Sequence, residues 1–199
     1  VGKQEIGILN HFGLQEDDFV VDVGCGSGRL AIPLSKVHQG NYLGIDVVPQ
    51  ALEHAKQLVG RKGWDFVLAQ DFTIPLPDGQ ADFVCFFSVF THLLHEQSYI
   101  YLEETFRVLK PGGKVVFSYL DFSEPEHDQF FKHSLECYRE GLPLNVFLNE
   151  KTISDWASYL KVKCVGLFGK TAKEGLGYPF SSFTQSIACL EKPGNVDSI

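Results

Sequence analysis

Three glycines at alternate positions, Gly24, Gly26 and Gly28, follow directly on the run Val20, Val21, Asp22, Val23. Glycine serves where the backbone takes positive φ or where a ligand must touch bare main chain. A strand that enters such a turn and leaves it as a helix makes a cradle for a nucleotide-like ligand. Cys25 sits inside the turn, and Asp22 places a carboxylate in the strand before it. The spacing is not the dinucleotide fingerprint G-x-G-x-x-G, because Arg29 stands where its third glycine belongs.

More polar residues stand where apolar runs end. Asp46 closes 41–46, and a carboxylate there can accept both hydroxyls of a ribose. Its alternative is a helix cap, since Pro49 suits a first helical turn. Asp71 closes 64–72 and by itself reads as a solvated loop residue. Ser88 ends the next apolar run, and His92 lies just past it, where an imidazole titrating near neutrality would serve as a general base or simply pack at a helix start. Tyr119, Asp121, His127 and His133 follow the fifth strand and are substrate-pocket candidates. His11, His38, His54 and His95 read as surface residues.

The run D-V-G-C-G-S-G resembles motif I of the class I S-adenosylmethionine-dependent methyltransferases, and L-K-P-G-G at 109–113 is a companion landmark of that motif. With the acids closing strands two and three and the apolar fourth strand, five landmarks fall in order across 19–121. The resemblance implies S-adenosylmethionine as cofactor and S-adenosylhomocysteine as product. It implies that Asp22, Gly24, Cys25, Gly26, Gly28, Asp46, Val47, Asp71, Phe72 and Ser88 hold the cofactor. Asp71 would accept from the adenine amine, and the Phe72 amide would reach the ring. Some small-molecule O-methyltransferases carry a base at about the place of His92.

Periodicity supplies the elements that position these residues. It predicts helices over 3–13, 28–37, 49–60, 95–109 and 150–160, and strands over 19–23, 41–46, 65–69, 82–88, 114–120, 161–168 and 183–190. Leu52, Ala55 and Val59 share one helix face, and Tyr99, Leu102, Phe106 and Leu109 another. Alternating strands and helices argue for an α/β fold with a parallel sheet. The resemblance makes it Rossmann-like and seven-stranded, mostly parallel with an antiparallel C-terminal pair, helices covering both faces. One domain is expected over 1–199, with 122–160 as a substrate-side insertion and 191–199 as a frayed tail. The chain begins at Val1 and holds no methionine, which suggests an upstream segment trimmed away.

Bulk properties narrow the function. Seventeen basic against 25 acidic residues give a net charge of −8, and without a Lys/Arg cluster this argues against a nucleic-acid substrate. No apolar run approaches the roughly 18 residues that span a bilayer. The five cysteines form no C-x-x-C pair, so they read as small buried hydrophobes in a reducing cytoplasm, with no disulfide framework and no metal site. No D/N-P-P-Y/F or Pro-Cys sequence follows strand four, which disfavours amide, adenine and cytosine-C5 methylation. What remains is O-, N- or C-methylation of a small-molecule acceptor by a monomer or homodimer. Two other readings are a non-catalytic cofactor-binding or regulatory module and a nicotinamide-dependent oxidoreductase; the glycine spacing counts against the second.

Overall fold

Short, near-continuous apolar runs suit strands covered on both faces. The computed structural model describes residues 2–194. Its strands are β1 (Val20–Val23), β2 (Tyr42–Asp46), β3 (Trp64–Leu68), β4 (Ala81–Phe86), β5 (Leu109–Tyr119), β6 (Lys163–Phe168) and β7 (Ser186–Glu191). Its helices are α1 (Gly2–His11), α2 (Ala31–Leu34), α3 (Pro49–Val59), α4 (His95–Val108), α5 (Asp128–Glu140), α6 (Glu150–Tyr159) and α7 (Lys170–Leu176). The strands form one sheet in the order β3-β2-β1-β4-β5-β7-β6. The first five run parallel, and β7 lies antiparallel between β5 and β6.

Successive strand residues point to opposite faces, so one strand feeds two cores. Val21, Val23, Val84, Phe86, Val115 and Phe117 enter one core with Leu102 and Phe106 of α4 and Ile153 and Trp156 of α6. Val20, Phe83, Cys85 and Val116 enter the other with Ile8 and Leu9 of α1 and Leu34 of α2. The sheet is thus a two-sided wall, and its carboxyl edge is left for loops.

Several expectations are corrected. The helix over 28–37 shrinks to the single turn of α2: Pro33 has no N–H for the Arg29 carbonyl, which delays its start, and past Leu34 the chain tightens into a turn in which Val37 and His38 both donate to the Leu34 carbonyl. No long helix dipole therefore faces the glycine turn. The fifth strand starts at Leu109 rather than 114; Leu109 pairs with Ala81 and Lys114 with Phe83, so the Pro-Gly-Gly stretch bulges between them. The segment joining β6 to β7 contains α7 and a 3-10 turn, Phe180–Ser182. The expected tail begins inside β7, and 195–199 lie outside the described residues. His38 is buried, its Nε2 2.8 Å from the Asp18 carbonyl, because the 35–40 turn folds under the β1 entry. Cys164 is exposed, unlike the other four cysteines, because it lies on the outermost strand.

Candidate active site

Strand order reverses between β1 and β4, and such a switch point opens a crevice beyond the carboxyl ends. A cavity of about 340 Å³ lies there. β1 and the turn after it contribute Val23 and Gly24, and β2 and the residue after it contribute Ile45, Asp46 and Val47. Ala69 and Phe72 come from the loop after β3, Ser88, Val89, His92 and Leu93 from the segment after β4, and Tyr101 from α4.

The glycine turn is held against β2 by its own amides. Gly24 and Cys25 both donate to the Ile45 carbonyl, at 2.7 and 3.1 Å. Gly24, Gly26 and Gly28 have φ of 77°, 53° and 92°, the region that favours glycine. A methyl group on Gly24 would strike the Val89 side chain, whereas the space above Gly26 is open. The Gly26 amide donates to Asp46 Oδ2 at 2.7 Å, and Oδ1 accepts from the Val48 amide at 2.9 Å. Each oxygen retains a further acceptor site for a hydroxyl donor. Asp46 therefore fastens the turn and still faces the cavity.

Asp22 does neither. Its carboxylate is buried, accepting from the Tyr42 hydroxyl at 2.6 Å, with Cys85 Sγ at 3.6 Å. Burial pushes its pKa up to about 6, partly opposed by those two hydrogen bonds. Nearby, Glu5 of α1 is fully buried with Oε1 2.8 Å from Arg29 Nε, an ion pair not aligned as a hydrogen bond. Burial pushes Glu5 up to about 7, against the pull of Arg29. Arg29 also donates to the Phe87 carbonyl at 3.0 Å, so it ties α1 and the end of β4 to the glycine turn. The Cys25 thiol is buried beside Gly44, and burial raises its pKa strongly.

Three non-glycine residues at this edge have positive φ: Asp71 at 47°, Phe72 at 56° and Ser88 at 62°. Such conformations persist only where surroundings hold them. The Ser88 amide donates to Ser118 Oγ at 2.7 Å, and the Ser118 hydroxyl donates on to Gln185. Past Phe72, the loop is pinned by Arg107 of α4, which donates to the Ile74 and Leu76 carbonyls at 2.9 and 2.8 Å and pairs with Glu104 and Asp78. Glu104 accepts from the Ile74 amide, and the Arg107 guanidinium beside it lowers its pKa. The Phe72 ring sits edge-on to Tyr101 at 5.3 Å, forming one wall of the cavity.

His92 ends a 3-10 turn, Phe90–His92, and lines the cavity with an exposed ring. The structure thus gathers Gly24, Asp46, Val47, Phe72, Ser88 and His92 around one space. Cys25, Gly26, Gly28 and Asp71 belong to its supporting loops, and Tyr119, Asp121 and His127 lie outside its lining. The His127 ring is buried, its Nδ1 accepting from the Asp121 amide at 2.8 Å and its Nε2 3.1 Å from the Thr184 carbonyl. Tyr119 is buried within the first core. Sequence reasoning missed Ile45, Ala69, Val89, Leu93 and Tyr101; Val89 and Leu93 carried a faint signal in their four-residue spacing after the strand.

The residues present fit an adenosyl group with an amino-acid tail. An acceptor carboxylate stands at the rim, bare glycine main chain has open space above it, and Ile45, Ala69, Phe72 and Leu93 supply apolar walls. Among the described residues no three His, Cys, Asp or Glu are grouped to hold a metal ion, and no helix is long and apolar enough to cross a membrane.

Residues 21–117 match the family described as methyltransferase domain. Sterol 24-C-methyltransferase of Pneumocystis carinii is 29% identical over 139 residues, 65% of this chain and 36% of that protein. A ribosomal-protein methyltransferase of Clostridium botulinum is 33% identical over 106 residues, 53% of this chain and 32% of that protein. The matched part thus spans about a third of these relatives' length. A SAM-dependent methyltransferase from Methanosarcina mazei superposes with a TM-score of 0.67 at 19% identity, over 94% of this chain and 97% of that one, a likeness of fold.

Proposed function

We propose, on the premise that residues 21–117 belong to the class I S-adenosylmethionine-dependent methyltransferase family, that this protein transfers a methyl group from S-adenosylmethionine to a small-molecule acceptor. The observation that carries this is Asp46, whose carboxylate accepts from the amide of Gly26, a glycine with open space above it, and faces the cavity at the β1–β4 switch point. Asp46 is assigned to the ribose hydroxyls, and the bare main chain of Gly24 and Gly26 to the amino-acid tail. The pocket of Ile45, Val47, Ala69 and Phe72 is assigned to the adenine, with Asp71 at its edge.

When bound, the sulfonium supplies a methyl carbon already activated for in-line displacement. The chain's own task is to orient, exclude water and manage one proton. Val89, Leu93 and Tyr101 keep the inner cavity apolar. His92, exposed on the same wall, is the proposed general base for an acceptor hydroxyl or amine. The 122–160 segment is assigned to the acceptor side, because it begins just past the carboxyl end of β5. A net charge of −8 favours an acceptor other than nucleic acid, and four buried free cysteines favour a reducing cytoplasm.

Calorimetry with S-adenosylmethionine, S-adenosylhomocysteine and NADH tests the reading. Heat with the first two and none with NADH is expected. Silence toward both adenosyl compounds on folded protein removes it.

A further inference from the structure

Beside the cavity runs a second groove, of about 390 Å³, that the fold alone does not explain. Phe122 and Phe147 stack with centroids 4.1 Å apart and planes 14° apart, and Phe131 meets them edge-on at 5.3 and 6.1 Å. None of the three belongs to either core. Phe131, Leu135 and Tyr138 recur at positions i, i+4 and i+7 of α5 and remain 42%, 43% and 72% exposed. Leu144 continues the apolar surface along the next segment. Two polar groups on this wall are already engaged: His95 Nε2 lies 2.9 Å from the Phe147 carbonyl, and Ser134 Oγ accepts from the Asn145 amide at 3.0 Å.

The groove adjoins the cavity along the segment that follows β4. The Val146 amide donates to the Thr91 carbonyl at 2.8 Å, inside the turn that ends at His92. Leu93 lines the cavity and His95 lines the groove, two residues apart. A ligand with its body in the groove would therefore point its head toward the turn that carries His92.

From this juxtaposition we propose that the Phe122–Phe131–Phe147 groove is the acceptor subsite, and that the acceptor is a hydrophobic, ring-bearing molecule with one nucleophilic polar head. The proposal rests on the methyltransferase reading for the identity of the ligand as acceptor. The volume lies in the range of small-molecule pockets, about 300–1,000 Å³, and such pockets are apolar with few polar groups. Stacked and edge-on phenylalanines present both faces and edges to a ring system. Concavity and a position next to the cavity favour a small molecule over a flat protein partner.

The test uses 1-hydroxypyrene as a fluorescent probe, titrated into the full chain with and without saturating S-adenosylhomocysteine. Phe131→Asp and Leu144→Asp place charge at partly exposed positions, and a milder Phe131→Ala guards against a folding failure. Saturable one-to-one binding is expected, weakened at least tenfold in the Asp variants and several-fold in Phe131→Ala, with S-adenosylhomocysteine affinity within twofold of wild type. Probe binding that ignores all three substitutions, or no probe binding by protein that binds S-adenosylhomocysteine, overturns the proposal. So does a concentration-dependent dimer in sedimentation that Leu144→Asp abolishes, since the face would then join two copies. A wild-type protein that binds the probe in the groove but neither adenosyl compound keeps the subsite and loses the methyltransferase reading.

Discussion

The amide of Gly26 and the carboxylate of Asp46, 20 residues apart in sequence, meet at 2.7 Å and close the glycine turn onto the end of β2. One side chain thus shapes the turn and presents acceptor capacity to the cavity. Asp46→Ala removes both roles. S-adenosylhomocysteine affinity should fall by about 1–3 kcal/mol, roughly tenfold to a hundredfold, by calorimetry. Unchanged affinity would take Asp46 out of the site.

Gly24 is constrained in two ways, by φ of 77° and by Val89 standing where a Cβ would go. Gly24→Ala should cost about 1–2 kcal/mol from backbone conformation alone, and more from the clash. Adding Val89→Ala should recover the steric part and leave the conformational part. Urea unfolding of the two variants and wild type separates the contributions; a double variant no better than the single one contradicts the contact.

His92→Ala should lower turnover by about 10² or more with any acceptor that must lose a proton, while S-adenosylhomocysteine affinity stays level. Single-turnover rates and calorimetry read the two quantities separately. An unaltered rate would return His92 to a packing role.

Glu5 and Asp22 make stability depend on pH in a definite direction. Both folded pKa values are raised by burial, to about 7 and about 6, above those of the unfolded chain. Between the unfolded and folded values the native state binds more protons than the unfolded one, so stability falls as pH rises. This contribution is full below about pH 4 and lost as pH climbs through 6 and 7. Glu5→Gln should flatten the upper part of that slope. Melting temperatures from pH 5 to 8 check it, and a wild-type profile that rises toward pH 8 would contradict the assignment.

Arg107 holds the loop past Phe72 through the Ile74 and Leu76 carbonyls and the Asp78 carboxylate. Arg107→Met should lower stability by about 1–3 kcal/mol and weaken cofactor binding through Phe72. Hydrogen exchange at the Ile74 amide, which donates to Glu104, should quicken before global unfolding. Protection equal to wild type would show that the loop needs no such anchor.

The strands, the three glycines and the position of Asp46 were legible in the sequence because they rest on local rules: period, turn chemistry and where an apolar run stops. The same local reading overextended the helix after the glycine turn, which Pro33 shortens at its start and the 34–38 turn ends. That the Asp22 carboxylate accepts from Tyr42 is visible only in the tertiary structure. Glu5 meeting Arg29, Val89 covering Gly24 and the His127 ring reaching the Thr184 carbonyl are contacts between segments remote in sequence. Sequence fixes which residues must leave water, but the partner each buried polar group finds depends on how whole elements pack, and only the folded chain decides that.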